Sequence, residues 1–424
     1  MKYVILRCED EARGNGQTAT LLEGAKLSYL QHLAQAGAAG VIRPAVSRGR
    51  SRRGVPALDR LRLHRALFGL AHHDPEAAPG LCYAASVNLH VAPEEAVWCC
   101  DLVTRQDGAV VDPVAGRITT KESQILIQAL DDQLGSERRR WEVGQGSHHI
   151  FVTDDPALVP EADGSMAVCS PELLIGQSWS RRLPRGGTGQ TLQRLLEEAS
   201  SVLEGHAVNR VRVDLGENPA NMLWLWGAAR PETPQRTFRD RTGLSGAAIS
   251  NSFFMRGFAQ CQGLDWSKGP TALEEGPLRR LMEKVEGLID RHDLVDVHLV
   301  IDTQDPVERL CAMERIDQLL LKPLAEALTR RLSPWRLLVV IDDRRLSDTV
   351  PFIGMGAELP RQPVASLSAQ HLAESPLTFP DGTALFAWFT QGQQTGDTMR
   401  DEKNRRRAVR GSSLAPRPSP LAPR

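Results

Sequence analysis

Short, almost wholly apolar segments, separated by amphipathic stretches, set the tightest limit on the fold. KYVIL (2–6), LVDVHLVID (294–302) and WRLLVVIDD (335–343) are apolar over most of their length. A strand covered on both sides reads this way, which is the habit of a parallel sheet packed between helices. Helical spacing fills Leu22–Ala39, Gly276–His292 and Val307–Arg331. AAISNSFFMRGFAQCQG (247–263) reads as a strand passing into a helix, and Val41-Ile42 opens a second strand. Strands alternating with helices at both ends of the chain predict an α/β domain with a parallel sheet.

The middle of the chain follows a different pattern. AASVNLHV (84–91), AVWCCDLVTRQDGAVVD (96–112), HHIFVTD (148–154) and AVNRVRVDLG (207–216) read as strands. The second of them turns at Asp107-Gly108. Helices are predicted over Glu122–Gln133 and Thr191–Leu203, the latter behind a turn at Gly186-Gly187-Thr188-Gly189. A smaller α+β domain (81–235) inserted into a split α/β domain (1–80 and 236–391) accounts for this order. Ser47–Arg65, dense in arginine, reads as an exposed loop running into a helix. The tail (392–424) is basic, then rich in Pro and Ser, and is expected to be disordered and solvated.

Composition excludes several classes. Lys plus Arg is 51 against 52 Asp plus Glu, a net charge of −1, so a globally basic nucleic-acid binder is not expected. The arginine run carries no interleaved aromatics for stacking on bases. No apolar run is long enough to span a bilayer, and the opening run is too short for a signal peptide. Seven cysteines without a C-x-x-C pair suit reduced thiols in a cytoplasm-like compartment.

Several stretches together resemble a known family. MKYVIL opens the chain, and DLVTRQDGAVVDPVAGRITTKES (101–123) follows. VNRVRVDLGENPANMLWLWG (208–227) and GLSGAAISNSFFMRGFAQCQGL (243–264) complete the set with the two late strands. These resemble the archaeal-type cofactor-independent phosphoglycerate mutases of the alkaline phosphatase superfamily. The resemblance implies an alkaline-phosphatase-like parallel-sheet domain with an inserted domain that grips substrate. It also implies a nucleophilic Ser, two divalent cations and a place in glycolysis.

The family's motifs can be followed residue by residue. Its I-G-D-G reads Arg7-Cys8-Glu9-Asp10 here, so Glu9 takes the position of the ligand Asp. The nucleophile motif corresponds to Gly54–Pro75, where either Val55 or Leu63 falls at the Ser position. Ser47 and Ser51 are the nearest hydroxyls. Asp302 stands for a later ligand Asp, with the following A-G-H absent. Asp342 matches the Asp of P-D-H, and Asp343 replaces its His. In the inserted domain, R-C-N reads Cys99-Cys100-Asp101, A-G-H reads Ala115-Gly116-Arg117, and Y-R-H reads Ser147-His148-His149.

Glu9, Asp10, Asp302, Asp342 and Asp343 are therefore the candidate metal ligands, placed at strand ends where open α/β sheets build their sites. They suit one hard divalent cation, magnesium or manganese, or an acidic edge neutralised by arginines such as Arg344 and Arg345. Arg117, Arg210 and Arg212 are the candidate contacts to a phosphorylated small molecule. The pairs His72-His73 and His148-His149 point apart on regular structure, and His298 reads as a core histidine. Two functions follow. One is a catalytically degenerate homologue with a binding or scaffold role. The other is an active metal-dependent mutase interconverting 3-phosphoglycerate and 2-phosphoglycerate.

Overall fold

The computed structural model describes residues 1–11, 19–43, 60–71, 78–160, 168–231, 236–343, 346 and 349–392. In chain order the strands are β1 (Lys2–Asp10), β2 (Ala38–Ile42), β3 (Ala96–Gln106), β4 (Ala109–Asp112), β5 (Arg139–Gln145) and β6 (His148–Thr153). They continue with β7 (Met222–Ala229), β8 (Gly246–Ser250), β9 (Asp265–Lys268), β10 (Leu294–Ile301), β11 (Trp335–Asp343), β12 (Val350–Gly356) and β13 (Thr378–Phe379). Eight of them form one sheet in the order β13-β2-β12-β11-β1-β10-β8-β9. Its centre is parallel, because β1 pairs with both β10 and β11 in that sense. β12 runs antiparallel to β11 and to β2. The apolar runs of the sequence occupy this centre, as burial on both faces requires.

The two faces of that sheet belong to different cores. Val4, Leu6 and Cys8 join the core beneath the helices at Ser28–Ala36, Glu275–Arg291 and Pro306–Ile316. Tyr3 and Ile5 face the other way, into a core shared with the second sheet. That second sheet is built on β3, which pairs with β4, β6 and β7, with β5 beyond β6. The helix Pro79–Ser86 sits between the two sheets. Gly80 lies against the Val97 and Gly227 carbonyls, while the Cys82 carbonyl lies against Gly257 of the helix Phe253–Cys261.

Two predicted strands are helical. Residues 84–91 lie in the helix Pro79–Ser86 and the turn after it. Residues 207–214 form the helix Ala207–Asp214, capped by the His206 ring on the Val208 N–H. The helix predicted over Leu22–Ala39 is broken into Leu21–Gly24 and Ser28–Ala36, and β2 begins at Ala38. The helix predicted over Val307–Arg331 runs Pro306–Ile316 and Lys322–Thr329 around a π turn, Asp317–Leu321. Pro323 follows that turn and offers no N–H to a regular ladder. The turn at Gly186 leads straight into the helix Gly187–Glu204, with Gly186 at its N-cap. Residues 393–424, residues 44–59 of the arginine-rich stretch, His72-His73 and Arg344-Arg345 lie outside the described residues.

Candidate functional site

Strand alternation divides the candidate carboxylates. Arg7 and Glu9 follow Tyr3 and Ile5 onto the face shared with the second sheet, and Asp10 follows Cys8 onto the opposite face. Parallel register sets Glu9 beside Asp342 and Asp10 beside Asp343. The five acids therefore do not form one cluster.

Asp10 and Asp343 share a buried guanidinium. Arg309 Nη1 donates to Asp10 Oδ2 at 2.7 Å and lies 3.9 Å from Asp343 Oδ2. Arg309 also donates to the Ala19 carbonyl, and Asp343 Oδ2 accepts the Leu21 N–H at 2.6 Å. Arg309 is only 1% exposed. It sits one turn into a helix started by Asp305, whose side chain caps the Val307 and Glu308 N–H groups. Sequence reasoning looked to Arg344 and Arg345 and missed Arg309. Its signal was an arginine on the buried stripe of an amphipathic helix. Asp302, just past β10, pairs with Arg117 near the surface.

On the other face the side chains form a continuous buried chain of hydrogen bonds. Arg7 grips Asp296 twice, Nε to Oδ1 at 2.7 Å and Nη2 to Oδ2 at 2.5 Å. Its remaining Nη1 meets His64 Nδ1 at 2.5 Å. His64 Nε2 lies 3.4 Å from Glu9 Oε2, and His298 Nε2 lies 2.9 Å from the same oxygen. Ser250 Oγ closes the chain on His298 Nδ1 at 2.9 Å. Burial, with Arg7 close by, pushes His298 down to about 4 despite Glu9. His64 comes from the helix Arg60–Ala66, beside Leu63, one of the two residues aligned with the family's nucleophile. The other, Val55, lies outside the described residues, as do Ser47 and Ser51. His64 was missed because its surroundings read only as arginine-rich.

Glu9, His64 and His298 each offer a ligand atom, all within 4.8 Å of one another. The donor chemistry nevertheless does not fit the two-cation centre that the resemblance implies. A guanidinium can only donate, so the Arg7 bond leaves His64 Nδ1 bare and puts its proton on Nε2. A metal at Nε2 would have to displace that proton and leave an imidazolate. Asp10 and Asp343 face away, and Asp302 is held by Arg117. Of the other candidate acids Asp342, buried beside Glu9 in the register, shares the Glu9 face.

Glu9 and His64 form part of the wall of a cleft of about 380 Å³ between the two sheets. Tyr83, Asp101, Arg117, His148 and Trp226 line it too. Asp101, 1% exposed, accepts the Trp226 indole N–H at 2.6 Å and His148 Nδ1–H at 2.8 Å. Burial works against charging His148, but the Asp101 carboxylate outweighs it and raises the imidazole above its ordinary value. Of the three candidate arginines, Arg117 reaches the cleft. Arg212 is buried and pins the loop, donating to the Ala115 and Asn218 carbonyls at 3.0 Å and to Glu122 at 2.8 Å. Arg210 is exposed and lies outside the cleft lining.

Comparison with known proteins agrees with this architecture. The family model described as 2,3-bisphosphoglycerate-independent phosphoglycerate mutase matches residues 64–209. The protein of that name from Methanosarcina mazei is 31% identical over 272 residues, 61% of this chain and 66% of its own length. The Geobacter sulfurreducens protein named as a probable mutase of this kind is 30% identical over 319 residues, 70% of this chain and 74% of its own. Two solved structures share the fold. The cofactor-independent phosphoglycerate mutase from Thermoplasma acidophilum has a TM-score of 0.52 at 21% identity, covering 92% of this chain and 99% of that one. The PH0037 protein from Pyrococcus horikoshii has a TM-score of 0.62 at 16% identity, covering 92% and 96%. With a relative 30% identical over 70% of this chain and 74% of its own length, the chain belongs to the 2,3-bisphosphoglycerate-independent phosphoglycerate mutase family.

Proposed function

We propose that this family member no longer transfers phosphate and instead binds a small phosphorylated acid in the cleft. The observation that carries the reading is Glu9. At the position of a metal-binding Asp, its carboxylate faces the Nε2 atoms of two buried imidazoles. The neighbouring acids support it, since Asp302 is paired with Arg117 and Asp10 with Arg309. Leu63, one candidate for the nucleophile position, carries no hydroxyl. Without an alkoxide and a cation to activate it, the transfer step has no starting point.

The ligand class follows from the relatives' names and from two cleft groups. Arg117, which a ligand would draw from its pair with Asp302, is one cationic group of the cleft, and His148, which the Asp101 carboxylate helps to charge, is the other. Both suit phosphate or carboxylate oxygens. A soluble role in the cytoplasm is part of the same reading, supported by seven cysteines that form no disulfide among the described residues.

Titration calorimetry with 3-phosphoglycerate tests the proposal. The wild-type protein is expected to bind with a dissociation constant in the millimolar range or below, more tightly at pH 6.5 than at pH 8.5. Arg117→Ala and His148→Gln should each weaken it about tenfold, equal to about 1.4 kcal/mol. No heat at millimolar ligand, or binding indifferent to both substitutions, would overturn the assignment of the cleft.

A further inference from the structure

We propose that Arg7 is the resident cation of a latent metal site made by Glu9, His64 and His298, and that it keeps the site shut to divalent ions. Two imidazoles and one carboxylate are a donor set that transition ions take readily. Two ligand atoms each about 2.1 Å from an ion and at right angles lie about 3 Å apart. The Glu9–His298 and Glu9–His64 separations are 2.9 and 3.4 Å. Ser250 holds His298 through Nδ1 and aims its Nε2 at Glu9, as the outer hydrogen bonds of metal-bound histidines do. Glu9 and His64 line the cleft, so an ion has a route in.

What closes the site is one contact. Arg7 Nη1 donates to His64 Nδ1, which fixes the His64 proton on the nitrogen an ion would need. Asp296 holds the other two guanidinium nitrogens, so Arg7 cannot swing away. Arg7 and Asp296 enter the fold as a neutral unit, and both are at most 3% exposed. Removing them together leaves no lone buried charge behind.

The test is cobalt(II) titration followed by visible absorption. The wild-type protein should show no protein-bound cobalt band. The double variant Arg7→Met with Asp296→Asn should take up one equivalent, and adding His298→Ala should abolish that uptake. A stoichiometric cobalt band in the wild-type protein, lost on His298→Ala, would overturn the proposal. So would a double variant with native circular dichroism that takes up none. Should the double variant not fold, nitrogen-15 spectra of the wild-type imidazoles decide. His64 with its proton on Nε2 is expected, and a proton on Nδ1 contradicts the mechanism of closure. Phosphoglycerate binding in the cleft is read by separate calorimetry, so either claim can fail without the other.

Discussion

His298 and His149 are buried imidazoles that stay neutral in the folded protein, pushed by burial to about 4 and about 3. In the unfolded chain both titrate near 6.5. A base with a depressed folded value binds its proton more readily when unfolded. Its contribution to stability is therefore present above about pH 6.5 and lost as the pH falls toward 4. Each such group costs about 1.4 kcal/mol per pH unit in that window. Urea midpoints at pH 7, 6, 5 and 4 should fall steadily, and a flat profile would contradict these two assignments. Arg309 makes a second residue-scale prediction. Arg309→Met strands Asp10 beside Asp343 in a buried pocket, and stability should drop by about 3 kcal/mol or more, read as a lower urea midpoint. An unchanged midpoint would mean that other groups already neutralise the pair.

At the scale of elements, the contact between the helices Pro79–Ser86 and Phe253–Cys261 depends on one glycine. A Cβ on Gly257 would sit 1.6 Å from the Cys82 carbonyl oxygen, so the helices must part to admit it. Gly257→Ala should cost about 1–3 kcal/mol and lower the melting temperature, whereas Gly287→Ala, with open space around it, should not. The central strands β1, β10 and β11 were legible in the sequence because burial on both faces leaves mostly apolar runs. Residues 207–214 were misread because R-V-R-V-D-L (210–215) alternates with a period of two. In the structure that alternation is not a strand's inside and outside. Val211 and Val213 are more than half exposed, and Arg212 is buried. The strand-end acids were legible one by one and alternation divides them between two faces, but which of them stand side by side depended on the register of β1 against β11. The pairing of Asp10 with Arg309 joins residues 299 apart in the chain, which no local pattern encodes.

For the whole molecule, the two sheets share one continuous apolar core, and the cleft lies where that core gives way to polar side chains. Residues beyond Gly392 follow a helix, Gly382–Gln391, that packs Leu385, Phe386, Trp388 and Phe389 into the same core. Removing residues 393–424 should leave the melting temperature unchanged within error, since the last packed side chains stay in place. The central claim is that this fold has kept its cleft and lost its chemistry. Turnover of 3-phosphoglycerate by the full chain with manganese present, coupled to consumption of 2-phosphoglycerate, tests it most directly. The account predicts no rate above the blank, with or without a chelator. A rate near one per second that a chelator abolishes would contradict it.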